Sequence, residues 1–228
     1  MNNHVVLIVA GGTGKRMGSV EPKQFLEING LPILAHTINA FKNYDDNIPI
    51  VIVLPEIYIN YWKDICVKYN FNKHHIVVKG GEERFNSVKN GLNYIKENLF
   101  YENMIVAIHD GVRPFVDSNL INLAYSNAET HGSAIPVIPI KESLRHIIDG
   151  NNKQVDRSKY FKVQTPQCFN FEKIYNSYLN SDINLFTDDA SVFENNGYKI
   201  NCIQGNEENI KITSPFDLKF ASYILENN

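Results

Sequence analysis

The sequence predicts an α/β fold, a mainly parallel twisted sheet flanked by helices, with a projecting β-hairpin arm. Three observations carry this. Short apolar, β-branched runs alternate with amphipathic helical stretches, the rhythm of strand, crossover helix and parallel strand. The runs are apolar at every position rather than every second one, as strands covered on both faces are. One segment, 141–162, breaks the rhythm with alternating residues around a turn.

The first run, His4 to Ala10, reads as a buried strand. Ile33, Leu34, Ile38 and Phe41 recur at helical spacing, which predicts a helix over 33–44. Ile50 to Leu54 is a second buried strand, ended by Pro55. Residues 56–69 read as an amphipathic helix, 76–79 as a short strand before Gly80-Gly81, and 87–99 as a helix. Met104 to Asp110 is an apolar strand with a polar end. A helix over 120–131 and a strand over 133–140 follow. In 141–162, the stretch Asp149-Gly150-Asn151-Asn152 sits between strand-like halves and predicts the hairpin arm. A two-stranded arm is marginal in water by itself, so an oligomer partner is expected. Thr187 or Asp188 is placed to cap a helix that Gly197 stops, and 198–203 reads as a strand. Ser214-Pro215 followed by Asp217 opens the last helix.

A chain of 228 residues holds one domain, expected here over 1–228 with the arm at about 141–162. A net charge of −3, from 22 basic and 25 acidic residues, gives no sign of nucleic-acid or membrane binding. An anionic ligand must then be met by a local basic cluster. Three cysteines, Cys66, Cys168 and Cys202, match no zinc spacing and no disulfide framework. The N-terminal apolar run is too short for a signal peptide or a membrane span, so the expected compartment is the cytoplasm.

Three strand ends carry glycine with charge: AGGTGKR, GGEER and DGVRP. In open α/β sheets ligands sit beyond the carboxyl ends of the strands, so these loops should share one crevice. The first loop is not a Walker A motif. Gly14-Lys15 is followed by Arg16, which has no hydroxyl for Mg²⁺, and Val9 stands at the first glycine position. Nor is it a dinucleotide fingerprint, because Met17 stands where the third glycine belongs and no helix begins at once. What remains is a nest of backbone N–H groups with Arg16 and, past a turn, Lys23. That set suits a triphosphate and the charge that develops on it during transfer. Asp110 ends a buried strand, where a carboxylate needs a cation. Arg113 in an ion pair and a Mg²⁺ among phosphate oxygens both meet that need. GGEER reads both as a capped helix start and as a base-reading loop. His109 reads as a packed, hydrogen-bonded strand-end histidine, and Asp188-Asp189 as a helix cap.

The long stretch AGGTGKRMGSVEPKQFLEINGLPILAHTINAF resembles the start of the cytidylyltransferase family of the non-mevalonate isoprenoid pathway. GGEERFNSVKNGL, HDGVRPFV, VDRSKYFKVQTPQCF, FTDDASVFE and GNEENIKITSPFDL resemble the family's later motifs in the right order, across essentially the whole chain. The resemblance implies a Rossmann-like nucleotidyltransferase fold, with CTP and 2-C-methyl-D-erythritol 4-phosphate as reactants and Mg²⁺ or another divalent cation as cofactor. It implies Arg16, Lys23 and Lys211 as the catalytic cations. Ala10, Gly11, Gly12, Gly14, Gly81, Glu82, Arg84, Ser87 and Asp110 would bind CTP, and Asp110 would hold the metal, directly or through water. Asp110, Arg113, Ser143, Arg157, Thr165 and Thr187 would bind the acceptor. The resemblance further implies a homodimer in which Ser143 and Arg157, on the arm, reach the partner's site.

The sequence departs from the family's commonest pattern at Gly11, at Gly111-Val112 and at Ser143, where threonine is frequent. Ribitol-5-phosphate cytidylyltransferases share the loop and the nucleotide and are the main alternative. FTDDASVFE and EENIKIT resemble the methylerythritol enzymes more. A catalytically inactive nucleotide-binding module is disfavoured, because Arg16, Lys23 and Lys211 are all present.

Overall fold

A strand buried on both faces sends alternate side chains into two cores. In β1 (His4–Val9), Val6 and Ile8 enter one core, and Val5 and Leu7 the other. The computed structural model describes residues 3–12, 21–181 and 186–227. Gly14 and Arg16 therefore lie outside the described residues.

After β1 a small hairpin, β2 (Glu27–Ile28) and β3 (Leu31–Pro32), turns at Asn29 and Gly30 with φ of 47° and 80°. Positive φ at both positions is the type I′ geometry that matches strand twist. Then come α1 (Ile33–Tyr44), β4 (Ile50–Leu54), a 3-10 turn at Glu56–Tyr58, α2 (Ile59–Lys68) and β5 (Ile76–Lys79). They are followed by α3 (Arg84–Asn98), β6 (Ile105–Asp110), α4 (Ser118–His131) and β7 (Ser133–Pro139). Next are β8 (Leu144–Ile148), β9 (Asn151–Val155), a 3-10 turn at Arg157–Lys159, β10 (Phe161–Val163) and β11 (Gln167–Asn170). The chain closes with α5 (Phe171–Leu179), α6 (Asp189–Asn195), β12 (Cys202–Gln204) and α7 (Pro215–Asn227).

Strands β5, β4, β1 and β6 are neighbours in that order and all parallel. Beyond β6 the sheet turns mixed. β11 runs antiparallel to β6 and β7, β10 continues antiparallel along β7, and β12 pairs with β7 in parallel. Helices α1, α2 and α4 cover one face, and α3, α5 and α6 the other.

Several predicted bounds shift for physical reasons. The projecting hairpin is narrower than 141–162: it comprises β8 and β9, joined by Asp149 and Gly150 at φ 48° and 79°. Residues 161–163 instead pair with β7 in the main sheet. Of the strand expected over 198–203, only the part that meets β7 is extended, and it runs on to Gln204. The helix expected from Ser87 begins at Arg84, and α4 begins at Ser118 behind Asp117, whose carboxylate accepts from the Leu120 N–H at 2.8 Å.

Register places the site. Val9 lies opposite both Val53 and Asp110, and Leu54 lies opposite Lys79. The carboxyl ends of four parallel strands are therefore level, and their loops open on one rim.

Candidate active site

Each rim loop is pinned to its neighbour strand before any side chain is considered. The Ala10 N–H donates to the Val53 carbonyl at 3.0 Å, Gly80 to Leu54 at 2.8 Å and Gly111 to Val9 at 2.9 Å. Two glycines are required by close approach. A Cβ on Gly81 would lie 2.2 Å from Asn86 Cβ, and one on Gly111 would lie 2.8 Å from Ala10 Cβ. Both are far inside van der Waals contact, so these loops lie tighter than any side chain permits.

Two adjoining cavities result. The first collects Ala10, Gly11, Gly12 and Lys23 from the loop after β1. Gly81, Glu82, Arg84 and Ser87 come from the start of α3, and Asp110 and Lys211 line the same cavity. The second is lined by Arg113 and Lys211 together with Lys141, Lys162 and Gln164. Lys211 thus faces both.

Asp110 is the electrostatic centre. Its Oδ2 accepts from Arg113 Nε at 3.0 Å and from Lys211 Nζ at 3.0 Å. Burial pushes its pKa up, but Lys211, then Arg113 and Arg84, outweigh this and hold it well below the usual carboxylate range. The ion pair that the sequence allows at this strand end is present. Among the described residues no group of three or more His, Cys, Asp or Glu is arranged to hold a metal. One ionised carboxylate on the rim fits a Mg²⁺ that takes its other ligands from phosphate and water, and does not fit an all-protein metal cage.

Lys23 sits on a 3-10 turn, Lys23–Phe25, that is anchored twice. Phe25 is buried against Tyr58, Tyr61 and Trp62, and Gln24 Nε2 donates to the Ala10 carbonyl at 2.9 Å. Arg84 is held from below: Nη1 and Nη2 donate to the two Asp189 oxygens at 2.9 and 2.6 Å. The Tyr178 hydroxyl donates to Asp189 at 2.6 Å as well. Burial lowers the Arg84 pKa, but Asp189 reverses this and raises it above the ordinary guanidinium value. The two aspartates predicted as a cap divide the work. Asp188 caps α6, accepting from the Ser191 N–H at 3.0 Å, while Asp189 is the counter-charge of Arg84.

His109 is fully buried, as a packed strand-end histidine should be. Its Nε2 bonds the Arg113 carbonyl at 3.0 Å, Nδ1 meets the Thr165 hydroxyl at 3.0 Å, and burial pushes its pKa down to about 4. Four predicted acceptor residues line neither cavity. Thr165 is buried, its hydroxyl accepting the Asp110 N–H at 3.1 Å. Thr187 is exposed just before α6. Ser143 and Arg157 are exposed at the base of the arm, with the Arg157 guanidinium on the Lys141 carbonyl. Sequence reasoning missed Gln24, Asp189 and Asn209. The nearest signals were their neighbours Lys23, Asp188 and Lys211.

Fold and site together define a nucleotidyltransferase: glycine loops on the rim of a parallel sheet, cations around them, and one carboxylate between two cavities. The family model for 2-C-methyl-D-erythritol 4-phosphate cytidylyltransferase matches residues 4–227. The chain belongs to that family. A relative of that name from Bacteroides thetaiotaomicron is 47% identical over 220 residues, covering 96% of this chain and 98% of the relative. Another, from Phocaeicola vulgatus, is 47% identical over 226 residues, covering 99% and 100%. The crystal structure of 4-diphosphocytidyl-2C-methyl-D-erythritol synthase from Anaerococcus prevotii superposes with a TM-score of 0.80 at 27% identity, covering 99% of this chain and 96% of that one.

Proposed function

We propose that the protein transfers the cytidylyl group of CTP to 2-C-methyl-D-erythritol 4-phosphate, releasing pyrophosphate, as a cytoplasmic step toward isoprenoid precursors. A phosphate oxygen of the acceptor attacks the α-phosphorus of CTP in line. The bond from that phosphorus to the bridging oxygen breaks, and the pyrophosphate takes the electron pair. Both reactants are anions, so positioning and charge screening carry the rate, and a phosphate monoester needs no general base.

One observation supports this reading above the rest: Lys211 lines both cavities and is aimed by its 3.0 Å bond to Asp110. A cation at that junction suits an α-phosphate approached from one side by the acceptor and left on the other by pyrophosphate. In this reading Lys23, with Arg16, stabilises the triphosphate, and Arg113 with Lys162 meets the acceptor phosphate. Gly81, Glu82 and Ser87 read the nucleoside. Mg²⁺ on Asp110, directly or through water, would neutralise phosphate charge when bound. Thr165 acts from behind the strand end, and Thr187 is assigned to the acceptor only by resemblance to the family.

The protein also works as a homodimer through its arm. Ile147, Ile148, Phe161 and Val163 are exposed apolar side chains on and beside the hairpin, a surface that a partner would cover. Ser143 and Arg157, which line neither cavity of their own protomer, then serve the partner's site.

The test is pyrophosphate release with CTP and either 2-C-methyl-D-erythritol 4-phosphate or ribitol 5-phosphate. The methylerythritol substrate is expected to give the higher kcat/KM. A higher value for ribitol 5-phosphate overturns the reading, as does equal use of UTP and CTP.

A further inference from the structure

The turn Asp110–Arg113 carries the carboxylate of one cavity and the guanidinium of the other. It is closed by the Arg113 N–H donating to the Asp110 carbonyl at 3.1 Å. Two buried side chains that line neither cavity grip it from behind, and hydrogen-bond chemistry sets the direction of every bond. A backbone N–H only donates, so Thr165 Oγ1 accepts from Asp110 N at 3.1 Å. A carbonyl only accepts, so His109 Nε2 carries a proton and donates it to the Arg113 carbonyl at 3.0 Å. His109 Nδ1 is then the acceptor, and the Thr165 proton points to it at 3.0 Å. Both ring nitrogens and the Thr165 O–H are engaged in this network.

The grip extends to the third partner. The Thr165 carbonyl accepts from Asn209 Nδ2 at 2.8 Å, and the Asn209 carbonyl accepts from Arg113 Nη1 at 2.9 Å. Asn209 lies two residues before Lys211, so the strand end, the turn and the lysine loop form one braced unit. Phe41 stands edge-on to the imidazole at 5.0 Å between centroids and restricts its rotation. A side chain that merely filled this space would need no ring nitrogen.

We propose that His109 is a positioning residue for the transfer reaction: bonded to Thr165 on one side and Arg113 on the other, it locks the turn so that Asp110 Oδ2 meets Arg113 and Lys211 together. This rests on the function proposed above.

The two nitrogens can be separated by substitution. His109→Asn keeps an acceptor near the Nδ1 position and loses the donor to Arg113. His109→Gln keeps a donor near Nε2 and loses the acceptor for Thr165. Thr165→Val removes the hydroxyl, and Thr165→Ser keeps it. Steady-state kinetics with both substrates and thermal melts are measured for each variant. His109→Gln and Thr165→Val are expected to lower kcat about tenfold to a hundredfold, with the KM for CTP within about threefold of wild type. Thr165→Ser should restore most of kcat. The double variant His109→Gln/Thr165→Val should be no slower than its slower parent, because the bond that His109→Gln removes is already lost in Thr165→Val. Nitrogen NMR of the wild-type protein should show the His109 proton on Nε2. The proposal is overturned if the wild type transfers and either variant keeps wild-type kcat. It is equally overturned if the two effects multiply, or if the proton sits on Nδ1. Should His109→Gln fail to fold, the Thr165 pair and the tautomer decide. A wild type that transfers no cytidylyl group refutes the function, while the tautomer still tests the bond directions.

Discussion

Replacing Asp189 by Asn tests how the nucleotide cavity is supported. Asp189 is fully buried, and its two oxygens take both Arg84 bonds and the Tyr178 hydroxyl. The amide keeps one acceptor and turns a donor toward the guanidinium, so one Arg84 N–H loses its partner against a like dipole. Breaking one side of a buried pair costs about 3–5 kcal/mol. The Arg84 side chain is 33% exposed, so water compensates part of this, and the expected loss is about 2–3 kcal/mol. In a domain of this size that lowers Tm by about 4–12 °C. Because Arg84 also lines the first cavity, the KM for CTP should rise as well. Replacing the whole group with apolar residues (Arg84→Met, Tyr178→Phe and Asp189→Leu together) should destabilise less than Asp189→Asn alone, since no buried charge is orphaned. Urea unfolding with calorimetry measures both. A loss below about 1 kcal/mol for Asp189→Asn, the range of an exposed pair, or a triple variant less stable than it, refutes the reasoning.

Three further outcomes are expected. Lys211→Ala and Lys23→Ala should each lower kcat about 100-fold to 1,000-fold; single-turnover pyrophosphate release at the wild-type rate in either would remove that lysine from the chemistry. His109 sits at a pKa of about 4 in the fold against an ordinary value of 6.5, so the unfolded chain binds its proton first. That contribution to stability is complete above pH 6.5 and is lost as pH falls toward 4, a slope worth about 3 kcal/mol that His109→Gln should flatten in urea titrations. Asp110, also depressed from its ordinary value of 3.8, contributes only in a lower window. Finally, light scattering at micromolar concentration should give a dimer, and Ile147→Lys/Ile148→Lys should shift it toward monomer; a monomeric wild type contradicts the role given to the arm.

The sequence was most legible where one physical rule acted alone. Runs such as IVIVL are short, β-branched and ended by proline, which suits strands covered on both faces, and the amphipathic stretches between them suit helical crossovers, so the parallel core was legible. Asp149-Gly150 announced its hairpin because few other residue pairs accept two positive φ values. The glycine loops announced a phosphate site through their composition and their place after strands, and most of their residues do meet on one rim.

Long-range pairing was beyond it. Nothing local tells that Phe161–Val163 leaves the arm to join β7, or that Gln167–Asn170 runs antiparallel between β6 and β7. The same limit holds inside the site. The residues around Arg84 give no hint that its counter-charge is Asp189, 105 positions away. Nor does His109 beside Asp110 indicate that its partners would be Thr165 and the Arg113 carbonyl. By itself, then, the sequence determined which residue types could serve a triphosphate and on which strand ends they stand, because periodicity and turn chemistry are local. Only the tertiary structure decided that Lys211 joins Asp110 between two cavities and that buried Asp189, Thr165 and His109 brace the set. Those contacts arise from packing distant segments together, and burial is what makes their charges and hydrogen bonds strong enough to matter.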